Sequence, residues 1–451
     1  MRKSIAVVVG LAILAATQAA AGAPVTEDAK REVVSKAATA LADGYVYPDL
    51  GRKAGAAIQK RLDDGGYAGI ADTGAFALRL TEDLQAVTHD KHMRVMDPQG
   101  QPPPGMPVGP PPRSRAGFIR VARLQGNVGY IELGGFPTPG MFKDAADAAM
   151  LAVAGTDALI IDMRGNGGGS PDAVSYLCSF FFDPAKPTHL NDLIWRERGT
   201  ETFRTETFST VAVPTHYLGK PVVLITGPRT FSGGEEFTND LKVQKRAVVV
   251  GESTGGGANP GGTQPVGAGL FLFVPGGRAV NPITKTSWEG VGVSPDVPTS
   301  PQAAFAAGYK AALEAAKPSP VREAVKAKLA AGGAEPNAWV EASLQAPPSG
   351  PSPRSEPALR AIIADAVAGK VNYATMTPDF IKSAQPQFET AHIDIIALGA
   401  LKAVMFEHVD PFGADVFRTE FEHGALEWTF FVNAEGKVAV AFYRKLPGGA
   451  A

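Results

Sequence analysis

Residues 220–237 read KPVVLITGPRTFSGGEEF: an apolar β-branched run, then Gly227 and Pro228, then Ser232 followed by Gly233 and Gly234, then a helix-forming stretch. A short apolar run bounded by turn residues has the pattern of a strand buried on both faces. Its passage into a helix is the repeating unit of a layered α/β fold. Ser232 stands at that junction and has two readings there. It is either an N-cap for the helix or a nucleophile, with the Gly233 amide beside it as an oxyanion donor. The Gly-x-Ser-x-Gly elbow of the α/β-hydrolases is only half matched, because Thr230 occupies the first glycine position. Glu235 and Glu236 read as first-turn charges that complement the helix dipole.

The same unit recurs upstream. In ALIIDMRGNGGGSPDAV, residues 158–174, a strand ends near Asp162 and Arg164, and Gly165, Gly167, Gly168 and Gly169 precede a helix. Glycines in such a turn let backbone N–H groups converge on an anion or a developing oxyanion. Phosphate-loop spacing is absent, since Ser170 stands where a third glycine is needed and no Gly-Lys-Ser/Thr follows. Strand patterns at NVGYIEL, RAVVVG and LFLFV alternate with helical ones at 140–154, 171–182 and 233–244. Residues 116–317 are therefore expected to form an α/β core with a largely parallel sheet. Before it, residues 24–96 show helical periodicity and predict a small bundle, joined by a Pro-rich linker at 97–115. After it, a helix and a Pro/Ser-rich linker at 318–356 lead to a separate α+β domain at 357–451, whose strands DVFRTEF, LEWTFFV and KVAVAFY are joined by hairpin turns.

A hydrophobic fraction of 45% with 20% charged residues is globular composition, and a net charge of -2 gives no electrostatic hold on nucleic acid or anionic lipid. The first 23 residues combine Arg2 and Lys3, an apolar run and a small-residue end, the pattern of a signal peptide cleaved near Ala21 or Ala23. A periplasmic or secreted protein with no membrane anchor is expected, because no later apolar run has the length of a span. Cys178 is the single cysteine, which excludes an intrachain disulfide and reads as a small buried hydrophobe. Of the seven histidines, His89 and His92 lie in THDKHMRV, where a helix runs out into an extended segment. Without cysteines or a third ligand nearby they make a weak zinc motif, so neither a metal nor another cofactor is expected.

Taken in order, GNVGYIELGGF, ALIIDMRGNGGG, KPVVLITGPRTFSGGEEF, VVVGESTGGG and WEGVGVSPDV resemble the tail-specific (carboxy-terminal processing) protease family, which includes tricorn protease and interphotoreceptor retinoid-binding protein. The resemblance covers about residues 27–316. It implies a helical N-terminal domain, a catalytic core of the ClpP/crotonase type and serine-protease chemistry, with Ser232 matching the nucleophile. Two departures select a branch. Gly257 stands where the processing branch has its lysine base, and the stretch 97–115 is too short for a PDZ domain. Both point to the tricorn-like branch, in which His92 matches the base and Glu289 the glutamate supporting it. Lys91 stands where tricorn has a serine before its histidine. The resemblance implies an oxyanion site from the amides of Gly233 and of Gly167 or Gly168, and peptides or unfolded protein as substrate. The alternative is a catalytically silent module for apolar ligands or peptides, since interphotoreceptor retinoid-binding protein carries apolar ligands on this core.

Overall fold

The computed structural model describes residues 24–98, 116–330, 340–342, 350–410, 413–433 and 435–446. The expected signal segment at 1–23 and positions 99–115 of the expected linker lie outside the described residues, as do 331–339 and 343–349. Among the described residues no helix is long and apolar enough to cross a membrane.

The N-terminal unit begins with α1 (Glu27–Gly44), α2 (Pro48–Asp63) and α3 (Thr73–Thr88), followed by the short strand β1 (Arg94–Met96). Thr26 and Asp72 cap α1 and α3 by accepting the amides of Ala29 and Ala75 at 3.2 and 2.8 Å. At its other end α3 stops at His89, whose left-handed backbone (φ 54) turns the chain away.

The core follows, with β2 (Phe118–Leu124), β3 (Val128–Leu133), α4 (Pro139–Val153), β4 (Ala158–Asp162), α5 (Pro171–Ser179), β5 (His189–Arg196), β6 (Phe203–Ser209), β7 (Val222–Thr226), α6 (Gly233–Val243) and β8 (Val248–Gly251). It continues through β9 (Gly261–Gly267), β10 (Leu270–Pro275), β11 (Gly277–Val280), β12 (Val297–Pro298), α7 (Ala304–Ala315), α8 (Pro320–Ala330) and β13 (Val340–Ala342). Seven strands form the main sheet in the order β12-β8-β7-β4-β3-β2-β13, parallel from β12 to β3 and antiparallel at β2 and β13. Every residue of β4 is buried. Leu159 and Ile161 pack with Phe142, Val174 and Leu177 on one side, while Ala158 and Ile160 pack with Phe305 and Tyr309 of α7 on the other. Helices on both faces explain why this strand and β7 read as continuous apolar runs.

The segment LFLFV behaves differently from the other strand patterns. As β10 it joins β1 and β9 in a three-stranded antiparallel sheet outside the main one. Leu270, Leu272 and Val274 share a core with Val33, Leu41, Phe76 and Leu80 of the N-terminal helices. The cause is period-two burial: from Leu270 to Val274 alternate residues are buried while Phe271 and Phe273 are only partly so, and the strand needs one partner layer instead of two. A third sheet, β11-β5-β6, went unread in the sequence.

The C-terminal unit comprises α9 (Ser355–Val367), α10 (Pro378–Ala384), α11 (Phe388–Ala397) and the antiparallel meander β14 (Leu401–Val409), β15 (Asp415–Phe421), β16 (Gly424–Val432) and β17 (Val438–Lys445). Helix α11 and strand β14 add to the elements expected there. One sheet face carries the helices through Phe417, Leu426, Trp428 and Phe430, and the other turns Val440 and Phe431 onto Ala116 and Met141 of the core.

Leu272 is fully buried in the contact between β10 and the N-terminal helices. Leu272→Ala should destabilise the protein by about 2–5 kcal/mol, read as a lower midpoint in urea unfolding; an unchanged midpoint would mean that this contact does not hold the N-terminal unit to the core.

Candidate active site

The turn after β7 is tied to the turn after β4. Thr230 Oγ1 donates to Met163 O at 2.7 Å, and the Phe231 amide donates to Asn166 O at 2.9 Å. Glycine permits this approach at Gly168 (φ 99), where a Cβ would stand 2.8 Å from both Phe231 O and Ser232 Cβ. Ser232 itself has φ 52 and ψ -123. Those are the angles of the first central residue of a type II′ turn, a place that favours glycine. An ordinary N-cap has extended backbone, so the N-cap reading leaves this geometry unexplained. Held strain of this kind costs about 1–3 kcal/mol and gathers at functional sites.

Glu235 maintains that geometry. Its carboxylate is fully buried and accepts four hydrogen bonds: from Ser232 N at 3.0 Å, Gly257 N at 2.7 Å, Gly256 N at 2.6 Å and Thr254 Oγ1 at 2.5 Å. Burial raises its pKa while these donors lower it. Glu235 is therefore a structural anchor, beyond the simple first-turn helix charge read from the sequence. Glu236 is buried as well, and burial lifts its carboxyl to about 7. The Ser-x-x-Glu spacing of a capping box was the signal available for Glu235.

Among the expected oxyanion donors, the Gly168 amide is already engaged, donating to Asn166 Oδ1 at 2.9 Å. Gly233 and Gly167 have no such bond among the described residues, and space is open beside Gly167. The amide of Gly169, a glycine of the same turn that was not among the specific donors expected, lies 3.0 Å from where a Cβ on Gly233 would stand.

His92 comes from the loop after α3. Its ring centroid lies 4.6 Å from that of Phe231, the residue before Ser232, and 5.8 Å from that of Phe273 on β10. No hydrogen bond joins His92 to Ser232 among the described residues. Asp90, which sequence reasoning missed although it lies inside the quoted HDKH stretch, holds the loop. Its Oδ1 accepts the His92 amide at 2.9 Å, and its Oδ2 accepts Asn259 Nδ2 at 2.9 Å and the Tyr45 hydroxyl at 3.2 Å. Glu289 Oε2 accepts the Ala258 amide at 2.5 Å. One atom each from Asp90, His92 and Glu289 lie within 4.8 Å of one another. His92 Nδ1 and Glu289 Oε1 are buried there with no hydrogen-bond partner among the described residues. Burial, followed by the Arg94 charge, pushes His92 down to about 4, so it is neutral at pH 7. Burial and then the Asp90 charge raise Glu289 to about 7.

The structure thus brings His92 together with Glu289, while exposed His89 stays outside the cluster. The spacing of Asp90, His92 and Glu289 would suit a cation, but three donors from neutral groups already occupy the Asp90 oxygens. Gly257, where the processing branch has lysine, sits against the imidazole: a Cβ there would be 2.8 Å from His92 Cε1 and 2.2 Å from Phe231 Cζ. At the end of β4, Asp162 and Arg164 pair with each other at 2.6 Å.

A strained serine at a helix start, open amides beside it and a buried neutral imidazole form the equipment of a serine-type acyl-transfer hydrolase. Residues 127–299 match the model of peptidase family S41, and residues 15–114 match the N-terminal domain of peptidase S41 in eukaryotic IRBP. The chain belongs to peptidase family S41 and is a serine-type peptidase. Solved structures that align with it include a protein from Parabacteroides merdae named as a candidate peptidase, at 16% identity over 68% of this chain and 98% of that one with a TM-score of 0.46. The photosystem II D1 C-terminal processing protease aligns at 17% identity over 62% and 94% of the two chains with a TM-score of 0.39. Tricorn protease aligns at 12% identity over 67% and 37% with a TM-score of 0.41.

Stability should report the Glu289 carboxyl. With its folded pKa at about 7, above the ordinary value of 4.5, the folded protein keeps this proton while the unfolded chain gives it up. Stability from this group is full below 4.5 and lost as pH rises through 7. Relative to Glu289→Gln, the wild type should therefore lose thermal stability between pH 4.5 and 7; a constant difference in midpoint across that window would rule the raised pKa out.

Proposed function

We propose that this peptidase is periplasmic or secreted, with a core of the ClpP/crotonase type, and cleaves peptides or unfolded protein segments through Ser232 and His92. Ser232 Oγ attacks the scissile carbonyl carbon while His92 Nε2 takes its proton. The tetrahedral intermediate collapses, the leaving amine receives that proton, and water then releases the acyl group by the same sequence. The Gly233 and Gly167 amides hold the oxyanion.

The observation that carries this reading is the neutral, buried imidazole packed against the residue before a serine held at φ 52. The unpartnered His92 Nδ1 and Glu289 Oε1 support pairing these two atoms, directly or through a bridging water, which fixes the tautomer and steadies the imidazolium as it forms. Lys91 does not take the part of the tricorn serine, because its ammonium donates to Gly255 O. Export rests on the charged, apolar and small-residue succession of residues 1–23.

Ser232→Ala and His92→Ala should each lower kcat/KM on a mixed peptide library by roughly a thousandfold or more while the proteins stay folded. Folded variants that keep wild-type rates would sink the assignment. Because ionised Glu289 is the form that steadies imidazolium, kcat/KM should rise with pH through about 7. Glu289→Gln should be slower and lack that step, with its remaining fall near pH 4, where His92 protonates. An unaltered profile in that variant would remove Glu289 from the mechanism. A chelator should leave the rate unchanged, and inhibition reversed by zinc would overturn the metal-free reading.

A further inference from the structure

The C-terminal domain encloses a cavity of about 450 Å³ between α9, α10, α11 and the strands β16 and β17. That volume lies within the range of small-ligand sites. Its floor is apolar and buried, formed by Met376, Phe380, Ile395 and Trp428, and its lip includes the exposed ring of Tyr373. It opens on the helical face of the meander, whereas the opposite face, with Val440 and Phe431, packs on the core. A ligand here would leave the Ser232 turn uncovered.

The polar groups of the cavity narrow the ligand class. Asp365 in α9 and Lys370 just beyond it line the same opening, and left-handed Gly369 (φ 64) turns the chain between them. Lys370 N donates to Asp365 O at 2.9 Å, so their backbones are locked together. Neither head group has a hydrogen-bond or ion-pair partner among the described residues. An ammonium and a carboxylate, both uncommitted at one opening, do not suit a fatty acid, whose carboxylate would face Asp365. They equally do not suit an organic cation, which would face Lys370. A ligand carrying both charges satisfies both, and an apolar body satisfies the aromatic floor.

We infer that this cavity binds a short apolar peptide with free amino and carboxyl ends, its side chains against Trp428 and Phe380, its carboxylate at Lys370 and its ammonium at Asp365. Such a molecule is of the class that a peptidase releases, and the proposal rests on the peptidase activity only for that source. Gln385 and Thr390, which also line the cavity, supply donors and acceptors for the peptide unit between the two ends.

The test uses the mature full-length chain carrying Ser232→Ala, so that the probe survives, and phenylalanyl-leucine titrated by calorimetry and tryptophan fluorescence. Saturable binding of one peptide per chain is expected. N-acetylation or C-amidation of the dipeptide should each weaken binding by about tenfold. Lys370→Gln should weaken binding of the free acid and leave the amidated peptide unaffected. Ala391→Trp, which fills the cavity from α11, should abolish binding with no change in thermal midpoint; if that variant does not fold, the rim variant Lys370→Gln carries the decision. No saturable binding, equal affinity for capped and free peptides, or affinity indifferent to both substitutions would overturn the proposal. Because binding is read in a chain without its serine, its failure is separate from a failure of Ser232 to act, which the cleavage assay reports by itself.

Discussion

The buried carboxylate of Glu235 is the constraint around which the serine side of the site is arranged. Removing a carboxylate from water costs several kcal/mol unless its lone pairs are satisfied. Here four neutral donors satisfy them, and each belongs to something that needs holding. The Ser232 amide is one, which keeps that residue at positive φ; the amides of Gly256 and Gly257 are two more, which keep the 254–257 loop beneath the imidazole. Since the donors are uncharged and the group is out of water, salt does little to loosen this arrangement.

Asp90 plays the corresponding part on the histidine side. It binds the His92 amide, the Tyr45 hydroxyl at the end of α1 and the Asn259 amide of the core. One carboxylate thereby joins the helical unit, the catalytic-side loop and the core at a single point. The contact is feasible because β9 and β10 leave the core and lie on the helices, which places Phe273 against the same imidazole. The two sides of the site come from chain segments about 140 positions apart, and both are anchored by buried acids that accept from neutral groups. The C-terminal meander attaches to this body through one sheet face and keeps the other for its helices and cavity.

The parts of the protein legible in its sequence are those governed by local pattern. Continuous apolar runs at β4 and β7 marked a sheet covered on both faces, and glycines placed after each strand marked turns where backbone approaches backbone. The ordered motifs also led to the peptidase family. Local pattern failed wherever burial depended on a distant partner. LFLFV has the composition of a core strand, yet its alternate burial serves the N-terminal helices. HLNDLIWR and FRTETFS form two strands of a separate sheet and carry too many polar residues to announce it.

Sequence by itself determined the α/β class of the core, the family and the strand-to-helix turn at Ser232, because each is written in neighbouring residues. Tertiary structure alone decided which amides remain open beside Ser232, that Glu235 and Asp90 are buried anchors, and that the imidazole is neutral. It also decided that Asp365 and Lys370 share one opening with an apolar floor. The physical reason is common to all of these: desolvation and hydrogen-bond satisfaction depend on which atoms surround a group in space, and those atoms are drawn from chain segments far apart in sequence.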